Sequence, residues 1–391
     1  MTTTAAANRR YLWIVLFILF TTGWATNHFV SMMPVLHDRV GISKGALEAA
    51  FGIYAVGLLP GLLTGGGISD KVGRKYIVLP GATGAALGNL LMLIWHTEPG
   101  VLIGRFAVGL GVGLAVSAGT AWCADLGGKR GTVFAGVILT SGFAAGPLAS
   151  GLIAEFTDGA ALVAPFIVTV VGSLLAVAAG FTIPYVRRDA VHDDPAVAAE
   201  SAPVARTLTR ALTTSLPMSL WVFASVTMSI VTMAGRMTAF SGPWVPGIAA
   251  VMTLGSGVVI QVIARRAAWG PRAGISGALL SMAGLSVVAI AGSDPTPAAF
   301  IGASILLGSG YGLCLREGLL DVETFAPAAK RGLAIGIFYV GTYLGFGLPV
   351  LLRVLEPSVG LTAPMVVLAA MALTSAAIRA GQVRSGVLAG R

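Results

Sequence analysis

Charge is scarce in this chain. Of its 391 residues only 10% are Asp, Glu, Lys or Arg, against about 25% in soluble globular domains. That is too few to clothe a water-soluble surface. Cysteine is rarer still: Cys123 and Cys314 are the whole complement. With no metal-ligand spacing around them, each reads as a small apolar packing residue. No Gly-x-x-x-x-Gly-Lys-Ser/Thr phosphate loop occurs, which argues against ATP-driven work. An integral membrane enzyme would need converging acids, a metal cluster or a nucleophile with its base, and no such constellation is visible. The reading is therefore not an enzyme, and no cofactor or metal is implied.

What the chain has in abundance is apolar sequence, 56% of residues, gathered into long runs that hold almost no charge. Twelve runs stand out, roughly 11–36, 49–69, 76–95, 99–124, 131–154, 159–186, 211–235, 237–264, 273–293, 295–315, 332–352 and 357–378. Most reach the ~20 residues that an α-helix needs to cross a hydrocarbon core of about 30 Å. The runs are Gly-rich and mostly joined by short connections, which favours closely packed helices. The predicted fold class is an all-α membrane protein with twelve transmembrane helices.

A formal net charge of +9 could suggest nucleic acid, but the basic residues sit beside the run ends in alternate connections. One side would hold Arg9, Arg10, Lys71, Arg74, Lys75, Arg265, Arg266, Lys330, Arg331, Arg379 and Arg384 among others. The other would hold only Arg39, Lys44, Arg236 and Arg353. The positive-inside rule then predicts a multi-pass inner-membrane protein with both termini cytoplasmic and no nucleic-acid partner. The segment Met1 to Arg10 enters the first run with no small-residue cleavage site, so that run reads as an uncleaved helix.

The longest polar stretch, 187–210, carries Asp189, His192, Asp193, Asp194 and Glu200 among alanines. It reads as a flexible cytoplasmic linker. It divides the chain into an N-terminal bundle, 1–186, and a C-terminal bundle, 211–391, of six runs each. An internal repeat is suggested at an offset of 201. Gly109 and Gly111 match Gly310 and Gly312, Gly146 matches Gly347, and Lys129-Arg130-Gly131 matches Lys330-Arg331-Gly332.

The strongest local pattern is Gly66-Gly67-Ile68-Ser69-Asp70-Lys71-Val72-Gly73-Arg74-Lys75, between the second and third runs. Gly66 and Gly67 would permit close helix approach and Gly73 a tight reversal. Asp70 would sit near the positive N-terminus of a neighbouring helix, and Arg74 and Lys75 would hold the loop at the membrane surface. The pattern resembles the signature loop of the major facilitator superfamily. That resemblance implies two pseudo-symmetric six-helix bundles rocking about a central cavity, with this loop latching the bundles together. The plain alternative is a basic turn that only sets orientation. The corresponding place in the second half, Arg265 to Arg272, lacks the Asp.

Two further patterns are similar to that family's. Arg105, followed by Gly109, Gly111 and Gly113, resembles its fourth-helix pattern, which implies proton coupling or substrate contact; otherwise Arg105 snorkels to the headgroups. Gly142, Gly146, Pro147 and Gly151 resemble the fifth-helix motif of its drug/proton antiporters, although Ser150 stands where Gly is usual; otherwise Pro147 makes a packing kink.

Other candidates come from the residues themselves. His28, beside Asn27 in the first run, is a side chain that can change charge near neutral pH, or else a hydrogen-bonded structural histidine. Arg316 and Glu317, with Asp321 and Glu323 beyond, would form a gate network or proton relay, or a salt-bridge cluster that positions a helix end. Asn27, Trp122, Gln261, Tyr339 and Tyr343 are candidates for lining a cavity. The first run holds no acid, which argues mildly against a lipophilic cation as cargo.

The functional expectation is a monomeric secondary transporter working by alternating access. It would be a proton-coupled antiporter exporting a drug-like compound or metabolite, with small-molecule substrate, protons and lipid as its partners and the proton gradient as its energy source. The alternatives are a proton-coupled symporter importing a small organic anion and, in another class, a non-transporting membrane sensor.

Overall fold

The computed structural model describes residues 2–184, 206–327 and 330–389. Twelve helices among them are long and apolar enough to cross a membrane. They are α1 (Asn8–Val40), α2 (Lys44–Val72), α3 (Lys75–Ile94), α4 (Glu98–Gly128), α5 (Arg130–Phe156), α6 (Ala164–Phe181), α7 (Leu208–Arg236), α8 (Val245–Arg266), α9 (Arg272–Ala291), α10 (Pro297–Phe325), α11 (Arg331–Val359) and α12 (Thr362–Arg384). The described residues contain no strand. Alternation of direction puts the start of α1, the α2–α3 turn and the end of α12 on one face, here the basic face. The end of α1 and the start of α2 lie on the far face.

Short polar residues start several helices. Ser43, Thr97, Thr207 and Thr296 each accept a hydrogen bond from the backbone N–H three residues on, satisfying a donor that the first turn leaves unpaired. Between α4 and α5 the helical path breaks at Gly128 alone (φ 56°, ψ −143°). A side chain would be strained at that positive φ, so glycine lets the chain reverse with almost no loop. Helical dihedrals continue through Pro147.

The boundaries depart from the sequence reading in several places, among them three that bear on the site. Residues 237–244, given to the eighth run, are not helical before Val245. The tenth helix continues to Phe325, which takes Arg316, Glu317 and Asp321 inside it. The expected linker at 187–210 falls mostly outside the described residues, and its last three residues, Leu208 to Arg210, are already the first turn of α7.

Glycine governs packing within each set of six. A Cβ at Gly109 or Gly113 of α4 would lie 2.2 or 2.3 Å from a backbone oxygen of α2, and one at Gly111 would lie 2.4 Å from Gly81 O of α3. In α10, Gly308 and Gly312 meet α8 in the same way, and Gly310 meets α9. Gly142 and Gly146 of α5 abut Phe20 and Trp24 of α1; Gly341 and Gly345 of α11 abut Ser219 and Phe223–Ala224 of α7. Two related halves are thus present, but these equivalences run at an offset of 199, not 201. The sequence match of Gly109 and Gly111 with Gly310 and Gly312 pairs glycines that face different neighbours. The Lys-Arg-Gly coincidence belongs to the connections and lies two residues out of the helical register.

Candidate functional site

The halves meet along α2 with α11 and α5 with α8. Near the basic face a Cβ on Gly336 would collide with Leu63. At mid-depth Phe51 and Tyr54 of α2 reach Phe346 of α11, ring centroids 6.0 and 6.2 Å apart. At the far face Glu48 pairs with Arg353. Gly151 of α5 abuts Pro243 and Trp244, and Gly247 of α8 abuts Leu148.

Between these contacts, on the far face, lies a cavity of about 540 Å³. Its walls come from both halves: Val30, Met33 and Pro34 of α1, Leu47 and Glu48 of α2, Ile230 to Thr232 of α7, and Pro349, Leu352 and Arg353 of α11. The α7 wall is a π-helical stretch, Met228–Met233, a distortion that recurs at functional sites. One turn deeper, Phe346 stacks on Phe223 at 4.6 Å, and Tyr343 and Tyr339 extend the row of rings. Of the five residues expected to line a cavity, Tyr339 and Tyr343 lie in this aromatic row and none lines the far-face cavity. Asn27 instead donates to Phe143 O of α5 at 3.1 Å, and Trp122 packs in a cluster with Ile18, Leu19 and Ala115.

Arg105 lies against Phe51 and Tyr54, the α2 rings that touch Phe346, and is 1% exposed. Its guanidinium donates to Thr26 O (2.8 Å) and Ala50 O (3.4 Å) and sits over the rings of Tyr54, Phe29 and Phe51 at 4.4, 4.7 and 5.7 Å. Among the described residues it has no carboxylate partner. The snorkelling alternative is excluded by this burial: the cation is held by carbonyl oxygens and ring faces. Tyr54 and Phe51 therefore serve twice, as cover for Arg105 and as contacts to the other half.

His28 is fully buried on the side of α1 facing α3 and α6. Nε2 lies 2.6 Å from Oδ1 of Asn89, and the ring meets Phe166 edge-on at 4.9 Å. Asn89 was not singled out from the sequence, although a lone amide in the apolar run 76–95 was a readable signal.

At the basic face the signature loop is tightly tied. Gly73 takes φ 104° and its N–H caps α2 at Ser69 O, the reversal expected of it. Arg74 pairs with Asp70 (2.6 Å) and Asp125 of α4 (3.0 Å), and donates to Ser69 Oγ (2.6 Å). Lys75 donates to Phe181 O and Ile183 O at the end of α6. One expectation is corrected. A Cβ on Gly66 or Gly67 would meet open space; the close approach to α4 belongs to Gly61 and Gly65. Asp70 pairs with Arg74, the residue that precedes the first turn of α3. These partners of Arg74 and Lys75 all belong to the first half.

In the second half, Glu317 and Asp321 of α10 are wholly buried with Arg379 of α12. Arg379 bonds Asp321 through both nitrogens (2.5 and 3.2 Å) and Glu317 at 3.3 Å, while Glu317 also pairs with Arg316. Arg379 was assigned from the sequence to the cytoplasmic surface; it is instead fully inside. Its place at the very end of an apolar run hid it.

A family model described as Major Facilitator Superfamily matches residues 12–349. Over 98 residues the chain is 33% identical to the multidrug resistance protein MdtL of Shewanella oneidensis, 25% of this chain and 24% of that protein. Over 81 residues it is 33% identical to the MdtL of Klebsiella pneumoniae, 21% of each. The chain thus spans about a quarter or less of the length of these relatives. In fold it is similar to a peptide transporter POT solved in complex with sulfate, at TM-score 0.76 and 14% identity, covering 96% of this chain and 94% of that one. It is likewise similar to a POT family transporter in complex with 5-aminolevulinic acid, at TM-score 0.75 and 14% identity, covering 96% of each.

Proposed function

Since the chain belongs to the major facilitator superfamily, a family of membrane transporters, we propose that it is a proton-coupled antiporter that exports a drug-like compound or metabolite. The observation that carries this reading is the position of the fifth-helix motif. Gly142 and Gly146 press α5 onto α1, and Gly151 presses it onto the start of α8 in the other half. The motif that resembles the antiporters' thus occupies a joint between the halves, where it can set how they part. The name of the MdtL relatives supports the same direction over the short stretch they share. The cavity walls join apolar residues, among them Val30, Met33, Leu47 and Leu352, to charged ones of both signs, Asp38, Lys44, Arg236 and Glu356 beside the Glu48–Arg353 pair, which suits an amphipathic small molecule with a polar end.

A second reading has one observation in its favour. Arg105 is a buried cation with no acid among the described residues to balance it, and a small organic anion imported with a proton would supply that charge. Here the signature loop, Asp70 with Arg74 and Lys75, is read as the latch and both termini as cytoplasmic, in keeping with the basic face.

The test is reconstitution into liposomes with a pH-sensitive dye inside and a panel of drug-like and anionic compounds outside. Substrate and protons moving in opposite directions are expected. Movement in the same direction gives the symport reading, and substrate flux that ignores the pH gradient removes both.

A further inference from the structure

Asn89 fixes the state of the histidine beside it. Its Nδ2 donates to Ala25 O (3.2 Å) and Ala85 O (3.0 Å), so its Oδ1, 2.6 Å from His28, acts as an acceptor. Turning the amide over would set an oxygen against two carbonyl oxygens. Nε2 of His28 therefore carries a hydrogen, and in the neutral ring Nδ1 keeps a free lone pair. Nδ1 is buried and has no hydrogen-bond partner. Inside a membrane protein such a group costs several kcal/mol unless water reaches it.

Oγ of Ser31 and Oγ of Ser150 are also buried without hydrogen-bond partners. Ser31 follows His28 by three residues and shares its face of α1. Ser150 follows from the packing register. Gly142 abuts Phe20 and Gly146 abuts Trp24, so the next turn of α5 brings Ser150 against the next turn of α1, where His28 lies. One bare acceptor and two hydroxyls are the kind of partner set that holds a buried water.

We propose that Nδ1 of His28 takes up the transported proton and that Ser31 and Ser150 hold the water through which it arrives. This rests on the proton-coupled reading above. A proton passes from bulk water to the held water and from there to the Nδ1 lone pair, forming an imidazolium; the Nε2–H bond to Asn89 is kept throughout. On release the new N–H bond breaks and the proton returns to water.

The charged group near His28 is Arg105 of α4, which donates to Thr26 O two residues earlier in α1 and lies over the ring of Tyr54 of α2. Asn89 of α3, Ser150 of α5 and Phe166 of α6 do not titrate, and the basic residues of α8, Arg265 and Arg266, lie at its opposite end. The imidazolium thus forms against a like charge. Uptake becomes easier when Phe346 withdraws from Phe51 and Tyr54 as the halves part and water screens Arg105. Proton uptake is in this way tied to opening.

Two measurements on the full-length protein test the proposal. Nitrogen NMR of histidine-labelled protein near neutral pH should show one histidine as the Nε2–H tautomer, with its signal lost in His28→Asn. A His28 signal from the Nδ1–H tautomer overturns the assignment. In liposomes, substrate-linked proton flux should vanish in His28→Asn and fall about ten-fold or more in Ser31→Ala/Ser150→Ala. If His28→Asn does not fold, the double serine variant carries this arm. A wild type that moves no protons takes down the exchange reading and this one together. A wild type whose proton flux survives in every folded variant takes down only this one.

Discussion

Single residues in this protein act mainly by their size and by whether their polar atoms are met. At Gly142 a methyl group would sit 2.2 Å from Phe20 O, and backbone on both helices cannot yield that space. Gly142→Ala should therefore destabilise the folded protein by at least about 1–3 kcal/mol, the usual cost of overpacking. Gly66→Ala meets nothing within 4 Å and gains helix propensity, so its stability should match or exceed wild type. Thermal unfolding in detergent separates the two; equal losses would remove the packing account of α5. The sequence placed close helix approach at Gly66, which belongs to a recognisable loop, while the crowded Gly61 and Gly65 look like any other glycine. His28 was legible as a lone histidine in an apolar run. Its hydrogen-bond state was not, because Asn89 lies 61 positions away.

Helices are joined to one another by buried charge as well as by glycine. Arg379 of α12 balances Asp321 and shares Glu317 with the partly exposed Arg316; Arg379, Glu317 and Asp321 are wholly buried. Removing one member leaves an uncompensated charge, which typically costs about 3–5 kcal/mol, whereas removing a matched pair can be close to neutral. Arg379→Met is thus expected to unfold far more readily than wild type, and Arg379→Met/Asp321→Leu to recover much of the loss. A double variant no better than the single one would show that Asp321 is held by something other than Arg379. The sequence marked Arg316, Glu317 and Asp321 as a cluster through their spacing on one helix. It could not supply Arg379, whose partnership across 58 residues exists only once α10 and α12 lie side by side.

Across the whole molecule, alternating access requires the far-face contacts between halves to come apart. Glu48 and Arg353 close one such contact beside the cavity, and Phe51, Tyr54 and Phe346 close the next layer down. With Glu48→Cys/Arg353→Cys joined by a short bifunctional thiol reagent, transport in liposomes should stop and should return when a cleavable reagent is cut. The native Cys123 and Cys314 are buried, so background reaction should be low. Full transport in a quantitatively cross-linked sample would mean that α2 and α11 stay together through the cycle.

The sequence by itself determined that this chain lives in a membrane, crosses it twelve times and is built from two related halves. Those properties follow from run length, hydropathy and local motifs, which act on each segment separately. The tertiary structure decided what depends on how helices face one another. It set the true register of the repeat at 199 and took Arg379 from the surface into the core. It turned Arg105 from an arginine within a run into a cation caged by the rings that join the halves. These are relations between residues tens to hundreds of positions apart, and no local pattern encodes them, because side-chain partners are chosen by packing rather than by spacing along the chain.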